Sequence, residues 1–298
     1  MTTQATAKRI VRDKSDAPVA LGSSAVVGAL RLLLYLAWTL PSMPIQLFFI
    51  VLHMPGRVTF PVFYHRICCR ILGLKVEVHG RPAKKRPTLL VANHSSYLDI
   101  EVLGSLIGGC FVAKSEVASW PLFGWLAKLQ RTVFVDRRRG STGGQRDQIA
   151  DRLAEGDRLI LFPEGTSGDG NRVLPFKSAL FSVAERRIND EPLLVQPVSV
   201  AYARFSNLPM DRDLRPFFAW YGDMYLSSHV WRMVKLGGAT VVVQFHEPVT
   251  LESAGGTRRA LAEHCHSIVA DGVARALTGR LPRSARGRLA RLRERRAR

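Results

Sequence analysis

The run Val91-Ala92-Asn93-His94-Ser95-Ser96-Tyr97-Leu98-Asp99 holds the residue types best suited to chemistry. It follows a β-rich stretch and opens a helix-like one, so His94 stands just past a strand and Asp99 in a first helical turn. At that spacing the carboxylate can accept a hydrogen bond from one imidazole nitrogen. The bond fixes the tautomer and leaves the other nitrogen free to take a proton. A base near neutrality suits activation of an alcohol and contributes roughly 10²–10⁴ in rate. No serine or cysteine stands in a nucleophile elbow, which favours direct attack by a hydroxyl over a covalent acyl-enzyme. Taken alone, a His near an Asp serves as well as a structural pair or a helix cap.

Two further blocks carry polar groups to strand ends. Leu161-Phe162-Pro163-Glu164-Gly165-Thr166 leads into the Gly-rich loop Ser167-Gly168-Asp169-Gly170. Such a turn can present backbone N–H groups and a hydroxyl to an anionic or polar head group, although a plain tight turn has the same composition. Thr132-Val133-Phe134-Val135-Asp136-Arg137-Arg138-Arg139 carries an arginine cluster out of a strand. Open α/β sheets bind ligands at that edge, and the guanidinium fork fits phosphate or carboxylate.

The elements that must position these groups follow from hydropathy. Strands are expected at 74–79, 88–92, 110–113, 132–135, 159–162, 194–201 and 240–245. Helices are expected at 98–107, 143–154, 176–187 and 257–277. Alternation of this kind predicts an α/β fold, a mixed, mostly parallel sheet flanked by helices. Residues 83–87 read as a basic loop and 204–216 as an irregular insertion.

Ahead of this domain lies an apolar helical membrane segment. Residues 32–54 contain no Asp, Glu, Lys or Arg, and as a helix they would reach roughly 35 Å. Pro41 and Pro44 interrupt the run, so two shorter helices are as plausible as one. Basic residues flank both ends, which favours a hairpin in one leaflet, or two passes, over a single crossing. The expected division is a basic arm at 1–16, a membrane-associated segment at 17–56, a catalytic domain at 57–279 and an Arg-rich tail at 280–298.

The net charge of +19 directs the surface toward polyanions. Nine arginines and one glutamate fall in the tail, where each arginine near an anionic leaflet would contribute up to about 1 kcal/mol. No zinc-finger spacing, RNA-recognition aromatics or helix-turn-helix pattern supports nucleic-acid binding. The cysteines Cys68, Cys69, Cys110 and Cys265 form no C-x-x-C, so neither disulfides nor a zinc site is expected, and burial in a reducing, cytosol-facing compartment is.

In combination these blocks resemble the glycerolipid acyltransferase family, which includes the 1-acylglycerol-3-phosphate acyltransferases. His94 and Asp99 match its H-x₄-D motif, Arg137 its second block, Phe162 to Thr166 its F-P-E-G-T block and Val195-Gln196-Pro197-Val198 its fourth. Lys114-Ser115-Glu116, Pro121 and Gly124 also stand where that family places such residues. The resemblance implies His94 as general base, Asp99 as its orienting partner, and Arg137, Glu164, Gly165 and Thr166 as holders of the acceptor head group. It implies an acyl carrier protein or coenzyme A thioester as donor, a lyso-lipid as acceptor, no metal or organic cofactor, and residence at the inner membrane facing the cytosol. Many phosphate-accepting members carry a basic residue after F-P-E-G-T, where this chain has Ser167. The longer stretch F-P-E-G-T-S-x-D-G-N, with Gln130 to Val135, looks more like the bacterial lyso-ornithine lipid acyltransferases. On that likeness Asp169 would meet the acceptor's ammonium and Arg137 its carboxylate, while a phosphatidate-forming activity is the alternative.

Overall fold

A computed structural model describes residues 23–83, 87–135 and 142–281. The basic arm, Arg137 and all of the tail beyond Leu281 lie outside the described residues. The chain opens with two antiparallel helices, α1 (Ala25–Val51) and α2 (Gly56–Ile71). Then follow β1 (Leu74–His79), β2 (Thr88–Ala92), α3 (Leu98–Gly104), β3 (Cys110–Lys114), a 3₁₀ turn (Ser115–Ser119), α4 (Phe123–Leu129), β4 (Val133–Val135), α5 (Thr142–Ala154) and β5 (Arg158–Leu161). A 3₁₀ helix (Ser178–Glu185), β6 (Arg187–Ile188), β7 (Glu191–Pro192), β8 (Leu194–Phe205), β9 (Leu208–Pro209), α6 (Leu226–Lys235), β10 (Ala239–Phe245) and α7 (Arg258–Leu277) complete it.

The main sheet runs β1-β10-β8-β2-β5-β3-β4, with β9 on the end of β8. Only β10/β8 and β8/β9 pair antiparallel; the other pairs are parallel. Both faces of its centre are covered, so the central strands are continuous apolar runs rather than alternating ones. Leu90 and Ala92 of β2 face a core shared with Leu98, Val102 and Met233 of α3 and α6. Leu89 and Val91 face the other, shared with Leu153, Phe181 and Leu261. All four cysteines are free and buried.

Four elements depart from the sequence pattern. Residues 176–187 do not form the expected α-helix. Phe181 and Ala184, three residues apart, turn inward together, which fits the tighter 3₁₀ winding. The helices α4 and α6 have no counterpart among the expected elements. Pro41 and Pro44 do not break α1; the reversal comes at 52–55, where His53 takes a φ of 51°.

Pairs along α1 show why it is attached as it is. Its buried residues are Gly28, Thr39, Ser42 and Gln46, while Leu30, Leu33, Leu34, Leu40, Leu47 and Phe48 are exposed. Polar fasteners hold the inner side. The Arg31 guanidinium donates to the carbonyls of Val234 (3.1 Å) and Leu236 (2.5 Å). The Gln46 amide donates to those of Arg57 (3.1 Å) and Leu129 (3.0 Å).

Candidate active site

β2 and β5 are adjacent and parallel, so the loops that follow them leave the same edge of the sheet, the edge where open α/β sheets place ligand sites. Asn93 pins the first loop to β8: its amide donates to the Val200 carbonyl (2.9 Å) and accepts from the Val200 N–H (2.8 Å). One residue on, His94 Nδ1 lies 2.9 Å from Asp99 Oδ2. The Asp99 side chain is fully buried, and the same oxygen accepts the N–H groups of Ser95 (2.7 Å) and Ser96 (3.0 Å). Its other oxygen accepts the Tyr202 hydroxyl at 2.9 Å. Neither carboxylate oxygen is therefore free to turn.

The imidazole is held on its face as well. It stacks on Phe162 with ring centroids 4.1 Å apart, and Phe162 stacks on Phe111. Its side chain is 21% exposed, and Nε2 has no hydrogen-bond partner among the described residues. His94 lines a cavity of ≈ 660 Å³ bounded by α1, α2, α3, α4 and α6. The geometry offers one imidazole nitrogen to that cavity while the other is tied to a fixed carboxylate.

The second loop is fastened to the first. The His94 N–H donates to Glu164 Oε1 (3.2 Å), and the Gly168 N–H to the His94 carbonyl (2.9 Å). Gly165 turns the chain at φ 72°, a left-handed conformation that strains any residue with a Cβ. Gly165, Thr166 and Ser167 reach the cavity wall; Glu164 does not. Glu164 is 2% exposed, and its Oε2 is buried. Burial lifts its carboxyl to about 8; the Asp99 charge acts in the same direction and the His94 N–H opposes it. Glu164 thus ties two loops together from behind the cavity wall, away from where a head group would be held.

Asp169 also departs from its expected place. It is not on the cavity wall. Its carboxylate accepts the backbone N–H of Asn171 (3.0 Å) and the Asn171 side-chain amide (3.2 Å), and Arg215 donates to Asn171 Oδ1 (2.9 Å). Short side chains of this type close turns on their own backbone, and Asp169 is used that way. Arg137 follows β4 by two residues and lies outside the described residues.

Two contributors escaped the motif reading. Tyr202 stands on the same face of β8 as Val198 and Val200, beyond the end of the fourth motif block, so no motif marks it. Trp220 lies in the irregular stretch after β9. Its N–H donates to the Ser95 carbonyl (2.8 Å) and its carbonyl accepts the Ser167 hydroxyl (2.5 Å). It thereby spans both motif loops and forms part of the cavity wall.

Residues 75–201 match the model of the Acyltransferase family. A lyso-ornithine lipid O-acyltransferase of Brucella abortus is 42% identical over 86% of this chain and 98% of its own. One from Rhizobium meliloti is 40% identical over 80% and 82%. Among solved structures, the 1-acyl-sn-glycerophosphate acyltransferase of Thermotoga maritima superposes with a TM-score of 0.61 at 22% identity, covering 83% of this chain and 93% of that one, which is a likeness of fold. With a tethered imidazole on the wall of an apolar cavity and relatives of this kind along most of its length, the chain belongs to the acyltransferase family.

Proposed function

We propose that this lyso-lipid acyltransferase acylates the 3-hydroxyl of a lyso-ornithine lipid, using an acyl carrier protein or coenzyme A thioester. One observation supports a zwitterionic acceptor over a phosphomonoester. The position after F-P-E-G-T is Ser167, and its hydroxyl is spent on the Trp220 carbonyl, so no cation stands there. The two relatives above bear the same acceptor in their names.

In this reading His94 Nε2 removes the proton from the acceptor hydroxyl as its oxygen attacks the thioester carbonyl. The C–O bond forms, the C–S bond breaks, and the imidazolium returns the proton to the departing thiolate. Asp99 steadies the imidazolium. No metal or organic cofactor takes part. Thr166 and Gly165 line the acceptor's path, and Arg137 receives its carboxylate.

We also place the protein at the cytosolic face of the inner membrane, with α1 in the plane of one leaflet. The domain is fastened to α1 from Ser24, whose N–H donates to the Lys235 carbonyl, to Gln46. A helix covered on one side along that length cannot cross a bilayer without detaching. Its outward leucines and phenylalanine suit the acyl boundary.

Purified full-length protein supplied with both thioesters, and with lyso-ornithine lipid and lysophosphatidate in turn, tests the reading. Formation of ornithine lipid, lost in His94→Ala, is expected; formation of phosphatidate alone overturns it.

A further inference from the structure

We infer that the acceptor's primary ammonium is bound by Glu116 and an aromatic corner made by Tyr97, Trp120 and Trp220. The inference rests on the zwitterionic acceptor proposed above and replaces Asp169 in the ammonium role.

The cavity that receives His94 is lined by two carboxylates, Glu101 and Glu116. Glu101 has both oxygens taken, one by the Tyr35 hydroxyl at 2.7 Å and the other by His65 Nδ1 at 2.7 Å. Glu116 is exposed and makes no ion pair among the described residues. It stands two residues past Lys114, the last residue of β3, which also lines the cavity, and β3 neighbours the strand that carries the second motif loop. An acceptor whose hydroxyl meets His94 therefore finds one available anion on this wall.

Four residues beyond Glu116, Trp120 meets Trp220 edge to face, with centroids 6.1 Å apart, and Trp220 meets Tyr97 in the same way at 6.3 Å. All three line the cavity. Two of the three have their polar atoms already employed: Trp220 Nε1 donates to the Met224 carbonyl (2.9 Å), and the Tyr97 hydroxyl lies 3.2 Å from His229 Nδ1. What the corner offers a cation is its rings, whose electron-rich faces attract positive charge. Trp220 is fixed by the Ser95 and Ser167 bonds, so the corner keeps its distance from the catalytic histidine.

The test compares lyso-ornithine lipid with its norvaline counterpart, in which hydrogen replaces the ammonium and the carboxylate and hydroxyl are unchanged. The readout is the ratio of kcat/KM for the two acceptors, with carrier-protein and coenzyme A thioesters offered separately. The full-length wild type is expected to prefer the ammonium by about tenfold, consistent with a partly exposed cation–π contact together with an ion pair. Glu116→Gln, Trp120→Leu and Trp220→Leu should each pull the ratio toward one through KM. Glu116 and Trp120 are exposed, so two of the three variants escape a folding defect. A wild type that ignores the ammonium, or variants that keep the full ratio, would overturn the subsite while leaving the ornithine reading intact. Turnover of lysophosphatidate alone would overturn both.

Discussion

Among the described residues two histidine–carboxylate pairs stand on the two sides of one short helix. Asp99 opens α3 and holds His94 at 2.9 Å; Glu101, two residues on, holds His65 of α2 at 2.7 Å. The chemistry of the pairs is the same, and the difference lies in the second ring nitrogen. His94 Nε2 is open to the cavity. His65 Nε2 lies 3.1 Å from Gln130 Oε1, and the Gln130 amide donates to the Gly109 carbonyl, which fixes its oxygen toward the ring. Gly104 makes room for this, since a Cβ there would lie 2.4 Å from the His65 ring. In the proposed mechanism the tethered imidazole with an open far side is the base, and the one closed on both sides is a rivet.

Breaking each pair should separate the roles. His94→Ala is expected to reduce kcat by roughly 10²–10⁴ with the thermal midpoint nearly unchanged, read by steady-state assay and calorimetry. Glu101→Ala strands a buried imidazole and should reduce stability by about 3–5 kcal/mol, with α1 and α2 loosening first in hydrogen exchange. Equal loss of activity and fold in both variants would erase the distinction between the pairs.

The first pair is legible in sequence because its partners are five residues apart and both bonds are local. The second joins residues 36 apart, and its closing group, Gln130, lies on a third element, so no spacing announces it. The sheet follows the same division: its strands are short apolar runs, and all seven expected ones are present. α6 is hidden because its inward residues His229, Met233 and Val234 include a histidine that reads as polar. Asp169 and Glu164 show how a motif names residues without stating what they touch. One closes a turn, the other joins two loops, and neither reaches the cavity.

Glu164 sharpens the comparison as a third ionisable group that does no proton transfer. Its carboxyl is raised to about 8 in the folded chain, well above an unfolded glutamate. Between these values the unfolded state loses its proton first. Stability is therefore greatest below the unfolded value, falls as pH rises, and levels off above about 8, a change on the order of a few kcal/mol. Glu164→Gln keeps an acceptor for the His94 N–H and cannot ionise. Its denaturation profile should be flatter over that window, with activity largely retained. A profile as steep as the parent's would place the titrating group elsewhere, and a dead but folded Gln variant would restore Glu164 to direct contact with substrate.

The smallest effect belongs to Tyr202, which touches neither substrate nor His94. Among the described residues its hydroxyl is the one donor to Asp99 that comes from outside the loop 94–99. A hydrogen bond to a charged group contributes about 1.5–3 kcal/mol, but three donors to the other oxygen remain when it is lost. Tyr202→Phe preserves the ring that stacks on Phe218, so packing survives and only the tether is cut. The expected result is a kcat lower by about three- to tenfold, KM unchanged, and the acid limb of the pH–rate profile displaced, because Asp99 loses a donor that stabilised its charge. A merely structural tyrosine would lower the melting point and leave that limb in place. The corresponding cut at the other pair, Tyr35→Phe, removes a donor from Glu101 in the same way, yet should leave the pH–rate profile where it was, since no proton passes through His65.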